Sequence, residues 1–146
     1  SRLMTYKSVL MQDVPNLANL FGYTNASWTL KVDLAANYIC RLFNHMDRHG
    51  YNVVTPIAPA GEMLEETVMD SLQSGYVQRG RSTLPRQGRT PPWRVLHNFA
   101  ADREMLTRHP LNDPALRFVR AATTTTVTRG RPASDLVATG MDETAV

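Results

Sequence analysis

Gly22-Tyr23-Thr24-Asn25-Ala26-Ser27-Trp28-Thr29-Leu30-Lys31 is where the chain changes period, and its reading decides the fold. Downstream, Leu30, Leu34, Ala35, Tyr38, Ile39, Leu42, Phe43 and Met46 recur at spacings of three and four, which predicts a helix over 28–49 with a broad apolar face. Lys31, Asp33, Asn37, Arg41, Asn44 and Asp47 take the other side. Thr24, Asn25 and Ser27 each offer a side-chain oxygen for the N-cap. Arg48 and His49 complement the negative end of the helix dipole, and Gly50 suits the left-handed residue that stops it. Upstream the chain reads as extended: a strand over 6–11, a turn at Gln12-Asp13, and a second strand over 17–21 ending at Gly22. Pro15 fits the start of that strand better than its middle. In an open α/β sheet, ligands gather at such strand ends, where the N–H groups of a helix N-terminus face an anion. On spacing alone, the stretch reads equally well as an ordinary strand-to-helix turn.

Further out, regularity fades. Residues 51–55 read as a short extended piece, and Pro56, Pro59 and Gly61 as a loop. Residues 62–72 read as an acidic helix stopped by Gly75, with Met63, Val68, Met69 and Leu72 as its apolar contacts. From 76 to 120 the pattern predicts loops with short helical turns near 102–108 and 114–119. The run after Ala121, with Thr123 to Thr126 and an Arg-Gly-Arg-Pro stretch, reads as a disordered tail. Strand, strand, helix and a long extension do not make a self-contained domain of a common class. They read as the closing segment of an α/β domain, whose wide helix face needs a larger body to lie on.

Composition narrows the function. The 146 residues suit one ordinary domain, and the first Met stands at position 4, as in a piece of something longer. No apolar run approaches the roughly 18 to 20 residues that span a bilayer, and no signal core opens the chain, so the expectation is a cytoplasmic protein without a membrane span. A single Cys40 excludes an internal disulfide. Net charge is +3, but residues 76–120 carry nine Arg against three acids. Arg79, Arg81, Arg86, Arg89 and Arg94 could neutralise phosphates and Trp93 could stack a base. Pro85, Pro91 and Pro92 break any helical stripe, and no nucleic-acid motif is present, so the favoured reading is a loop that wraps a protein surface, its Arg pairing carboxylates. No nucleic-acid partner is expected.

Motifs for chemistry are sparse. His45 and His49 stand four apart on the helix without a third ligand, which reads as a solvated pair, and no metal is expected. Cys40 reads as an inert, packed helix thiol, and Glu62, Glu65 and Glu66 as a solvated acidic face. No phosphate-binding glycine loop and no complete catalytic set occurs, and none of the residues is expected to be catalytic.

Tyr6-Lys7, Val14-Pro15-Asn16-Leu17 and Gly22-Tyr23-Thr24-Asn25-Ala26-Ser27-Trp28-Thr29-Leu30-Lys31 together resemble the C-terminal part of flavin-containing Baeyer–Villiger monooxygenases, nearest to the ethionamide-activating type. The resemblance continues through Asp33-Leu34, Tyr38-Ile39-Cys40-Arg41-Leu42 and His45-Met46-Asp47. It resumes at Gly75-Tyr76-Val77, Leu84-Pro85-Arg86-Gln87-Gly88, Pro92-Trp93-Arg94 and Leu116-Arg117-Phe118. It implies an FAD/NAD(P)-binding fold with two dinucleotide-binding domains, of which this chain supplies the closing strands and helix, followed by a loop-rich helical extension. It implies FAD and NADPH as cofactors, and a ketone or sulfur-containing small molecule oxidised through a peroxyflavin. Residues 1–55 would then end the FAD-binding domain, 56–120 form the extension, and 121–146 the tail. Gly22, Tyr23, Thr24 and Asn25 would face the flavin, Trp28 and Leu30 would pack the helix onto the domain, and the rest of the FAD domain would be the physical partner.

The family's G-x-G-x-x-G, its second dinucleotide fingerprint, its F-x-G-x-x-x-H-x-x-x-W linker and its NADP-contacting arginine are not in these residues. Asp135-Leu136-Val137-Ala138-Thr139-Gly140 is like an Ala-Thr-Gly motif of flavin monooxygenases, but in the wrong order relative to Tyr6-Lys7. Alone, the chain is expected neither to hold FAD firmly nor to turn over. The alternative is a non-catalytic interaction module derived from a monooxygenase gene, with a nucleic-acid binder ranked last.

Overall fold

The computed structural model describes residues 2–72 and 74–120; the tail expected over 121–146, with its Ala-Thr-Gly stretch, lies outside them. The chain opens on a small antiparallel hairpin, β1 (Thr5–Tyr6) paired with β2 (Leu10–Met11). The single strand expected over 6–11 is therefore two, because the chain reverses at Lys7 and Ser8, both at positive φ (53° and 57°). Val9 N–H donates to Tyr6 O at 2.9 Å and closes the turn. Two adjacent positive φ values are the signature of turns whose twist matches that of the flanking strands, although neither residue is the glycine or asparagine such turns favour.

The second expected strand, over 17–21, is reduced to one bridge between Leu10 and Ala18. Asn16 is the physical reason: at φ 56° it bends the chain, and it serves as a surrogate sheet partner for residues 52–54. Its N–H donates to Val54 O (3.0 Å), its Oδ1 accepts from Val54 N–H (2.9 Å) and its Nδ2 donates to Asn52 O (2.9 Å).

Helix α1 (Trp28–His49) follows, as the periodicity requires. It stops at Gly50, at φ 67° and ψ 31°, whose N–H returns to the carbonyls of Met46 and Asp47. Its buried row is Lys31, Leu34, Ala35, Tyr38, Leu42 and Met46. Two expectations need correction. Lys31, assigned to the polar side, is a core residue, and Leu30 and Phe43, assigned to the core face, are exposed.

Beyond α1 come β3 (Val53–Pro56), β4 (Met63–Thr67), α2 (Gly75–Gly80), β5 (Arg86–Gly88), α3 (Phe99–Thr107) and β6 (Leu116–Val119). β3 pairs antiparallel with β6, setting Val54 opposite Phe118, and β4 pairs antiparallel with β5. The acidic helix expected over 62–72 is instead a strand followed by turns. Pairing with β5 outweighs local helix propensity there, and Asp70 closes the next turn by accepting from the Thr67 N–H (3.0 Å) and Oγ1 (2.5 Å). Gly75 opens a helix rather than stopping one. The helical turn expected near 114–119 is β6, whose Leu116 and Phe118 alternate with Arg117 and Val119. The turn expected near 102–108 is α3, capped by Asn98, whose Oδ1 accepts from Ala101 N–H at 3.0 Å.

The described residues thus form a mixed α/β structure of three two-stranded antiparallel sheets around α1, which packs against α3. One core joins the hairpin (Met4, Tyr6, Val9, Leu10), α1, Val54, Trp93, Leu106 and Leu116. Among the described residues no helix is long and apolar enough to cross a membrane.

Candidate functional site

Residues 22–25 form the turn that feeds α1, and each of the four is held differently. Gly22 is buried beneath Trp28, so closely that a Cβ there would lie under 3.0 Å from three indole atoms. Tyr23 turns inward, 4 % exposed. Thr24 Oγ1 lies 2.9 Å from Ser71 Oγ and 3.4 Å from His97 Nδ1, and Asn25 Nδ2 donates to His97 O at 3.1 Å. Of the three residues offered as N-cap, Ser27 takes the position, but its hydroxyl is engaged with Thr29 Oγ1 (2.9 Å) and caps no backbone N–H. The Trp28 and Thr29 N–H groups meet no acceptor among the described residues, so the positive end of a 22-residue helix is left open beside the turn.

Beneath the turn lies a buried polar triad that sequence reasoning missed. Tyr23 OH donates to Asp102 Oδ2 at 2.8 Å, and Lys31 Nζ lies 2.7 Å from Asp102 Oδ1. Asp102 is 0 % exposed and Lys31 2 %. The Lys31–Asp102 approach lacks good hydrogen-bond angles, so the contact is an ion pair first, reinforced by the ammonium lying 5.4 Å from the centroid of the Tyr23 ring. Burial pushes the Lys31 ammonium down from its ordinary pKa while Asp102 pulls it up. Burial, and then the bond to Asp102, push the Tyr23 phenol well above its usual range. One signal did exist. Lys31 falls on the 31, 34, 35, 38, 42 row of α1, and Asp102 on the 102, 105, 106 row of α3, so opposite charges occupy core positions of two packed helices.

Lys31, Tyr23, Thr24 and His97 also line a small cleft behind the turn, walled by Val68 and Val95. His97 has positive φ (48°), and burial, then the Lys31 charge, lower its pKa against the pull of Asp102 and a hydrogen bond with the Val68 backbone.

The other candidates resolve into packing. His45 and His49 rings are 4.3 Å apart, and His49 stacks on Tyr51, which stacks on Phe118. Among the described residues no group of three His, Cys, Asp or Glu could hold a metal. Cys40 is exposed rather than packed. Trp93 is buried edge-on against Tyr6 (5.4 Å, 71°), out of reach of a base. Arg81 pairs with Asp70, Arg86 with Glu65 and Arg94 with Glu66, so the Arg-rich segment pairs with the chain's own acidic stretch, whose Glu65 and Glu66 side chains stay exposed to solvent. Glu62 Oε1 accepts from Thr90 N–H at 2.7 Å.

No family model and no solved structure matches the chain. Curated proteins do. It is 50 % identical over 118 residues to the protein named probable FAD-binding monooxygenase AlmA of Acinetobacter baylyi, covering 81 % of this chain and 24 % of that one. It is 50 % identical over 119 residues to MymA of Mycobacterium tuberculosis, named as an FAD-containing monooxygenase, covering 82 % and 24 %. It is 40 % identical over 117 residues to the FAD-containing monooxygenase EthA of the same organism, covering 80 % and 24 %. The chain spans about a quarter of the length of these relatives. Over four-fifths of its own length the chain is similar to proteins named as FAD-binding or FAD-containing monooxygenases.

Proposed function

We propose that this chain is the C-terminal part of an FAD- and NADPH-dependent monooxygenase, contributing one wall of the flavin site and inactive alone. The observation that carries the reading is the 40–50 % identity to proteins named as FAD-binding or FAD-containing monooxygenases, in a match that takes in a quarter of their length. Residues 1–55 would close the FAD-binding domain of the two-dinucleotide-domain fold, 56–120 would be its extension and 121–146 its tail. The rest of the FAD domain would be the partner, and a ketone or sulfur-containing small molecule the substrate, in the cytoplasm.

The residues at the turn fit a flavin. Gly22, Tyr23, Thr24 and Asn25 would hold its edge, against the open Trp28 and Thr29 N–H groups of the uncapped helix. When bound, FAD would supply the redox chemistry, carrying reducing equivalents from NADPH to dioxygen. The chain's own part is electrostatic and geometric. The first-turn N–H groups of α1 stabilise negative charge placed against them. The close seating of Trp28 on Gly22 fixes where those groups point. Tyr23 and Lys31, tied to Asp102, keep the floor of the turn dry and rigid.

The test joins this chain to the remaining three-quarters of a relative such as EthA. The expected product binds FAD stoichiometrically and consumes oxygen with NADPH, whereas the isolated chain shows no resolved flavin spectrum on titration. A joined protein that folds but takes up no flavin, or an isolated chain that binds FAD tightly, overturns the proposal.

A further inference from the structure

We propose that Asp102, on α3, is the positioning residue of the 22–25 turn, fixing the flavin-facing backbone through Tyr23 and fixing the start of α1 through Lys31. For its functional meaning the inference rests on the flavin reading above; its geometry does not.

The two carboxylate oxygens of Asp102 divide between the elements meeting at the turn. Oδ2 accepts from Tyr23 OH (2.8 Å), inside the turn, and Oδ1 faces Lys31 Nζ (2.7 Å), one helical turn beyond Ser27. All three side chains are removed from water, so the carboxylate has little freedom to exchange partners. α3 is itself anchored: Asn98 caps its first turn, and Leu106 O on its last accepts from Arg41 Nη1 on α1 at 2.5 Å. An anchored helix thus presents one charge to two elements with few backbone ties, a turn whose backbone N–H groups meet no acceptor among the described residues and an uncapped helix end. Loss of that charge should loosen the turn before it loosens the core, because the hairpin and the β3–β6 pair do not lean on Asp102. Besides the seating of Trp28 on Gly22, the other polar side-chain holds on the turn among the described residues are Thr24 with Ser71 and His97, and Asn25 with His97 O, all at its outer side.

The experiment measures backbone ¹⁵N relaxation in the full chain, without flavin, for wild type, Asp102→Asn and Tyr23→Phe. Rigid backbone has order parameters near ~0.85 and flexible backbone below ~0.6. The expected result is that Asp102→Asn drops residues 23–25 below about 0.6 while Val54 and Phe118 keep wild-type values. Tyr23→Phe, which keeps the Lys31–Asp102 pair and folds in any case where Asp102→Asn does not, shows a smaller loss in the same residues. A turn unchanged in both variants overturns the proposal, and so does a turn that loosens only in step with Val54 and Phe118, which would make Asp102 a general stability residue. In the joined monooxygenase, Asp102→Asn should weaken FAD binding tenfold or more while Asp102→Glu recovers part of the loss. A loosened turn with unchanged FAD affinity overturns the positioning role, whereas a joined protein that takes up no flavin even as wild type leaves the relaxation result standing and fails the flavin reading instead.

Discussion

Replacing Gly22 with Ala tests the geometry of the turn through a change of sign. The added methyl would fall within the indole of Trp28, under 3.0 Å from Cγ, Cδ2 and Cε3, so the ring must leave its seat. Because Trp28 is 46 % exposed, the ring can swing out, and the penalty is the loss of its covered half plus strain in the turn. Overpacking of this kind costs about 1–3 kcal/mol, and each kcal/mol lowers the melting temperature by about 3–6 °C for a chain of this size. Gly22 does not sit in the left-handed region, so Ala costs nothing in backbone conformation. Where Ala is tolerated, Gly→Ala stabilises by about 0.4–1 kcal/mol by restricting the unfolded chain.

The same substitution should therefore destabilise wild type and become neutral or stabilising once Trp28 is Ala. Urea unfolding of the four proteins of the cycle measures the coupling, expected at about 1.5–3 kcal/mol. Fluorescence gives a second readout. Trp93, the other of the two tryptophans, is buried, so a red shift in Gly22→Ala that vanishes when Trp28 is absent reports the indole leaving. If Gly22→Ala costs the same with and without Trp28, the close seating is not what makes glycine necessary, and the reasoning fails.

Lys31→Met should cost about 3–5 kcal/mol in chemical unfolding, since it leaves the Asp102 carboxylate buried with one neutral partner; a cost under about 1 kcal/mol would mean that the pair is hydrated. Acidification should loosen the region around His97. Burial and Lys31 depress its folded pKa, so the unfolded chain takes up the proton first, and stability falls as pH drops below about 6.5 toward the folded value. His45 adds to the same slope, so the readout is the difference: His97→Asn should flatten the loss of melting temperature between pH 7 and 5, and an unaltered profile would refute it. Asp70 works in the other direction. Burial raises its pKa, but bonds from Thr67 and Arg81 outweigh that and lower it, so its contribution is present above about pH 4 and fades below. Asp70→Asn should remove that acid-range slope in a melting series. Phe43→Asp, at an exposed position, should leave the melting temperature within a few degrees while raising the concentration at which the chain aggregates, as followed by light scattering.

α1 was legible to the residue at both ends because period, dipole charges and a C-terminal glycine all agree there. The hairpin was not, since its reversal depends on Lys7 and Ser8 adopting positive φ, which neither residue advertises. β6 was misread as a helical turn because its strand character exists only against β3, far upstream in the chain, and the acidic stretch was misread for the same reason against β5. At the candidate site, residues 22–25 were legible as a turn into a helix. Asp102 was not, because its row with Met105 and Leu106 marks a core position without naming what it meets, and its partners Tyr23 and Lys31 lie more than 70 positions away.

The helix shows why the chain both closes a core and leaves surface unused. One row of α1, from Lys31 through Leu34, Ala35, Tyr38 and Leu42 to Met46, is covered by the chain's own hairpin, α3 and β6. A second row lies beside it: Val32, Ala36, Ile39 and Phe43 at spacings of four, three and four, with Ala36 and Phe43 exposed and Val32 and Ile39 only half-buried. The full apolar arc is wider than a helix at the edge of a small domain uses, and burial of Phe43 alone would add about 1–2 kcal/mol. Ile39 packs against the described core, but a charged residue at exposed Ala36 or Phe43 would cost this chain little by itself, so the apolar character of those two has no account within that core. It has one in a larger body that lies against the second row. That is the arrangement the proposed parent requires, with the 22–25 turn at one end of the same helix, between the core that positions it and the domain that would bring the flavin.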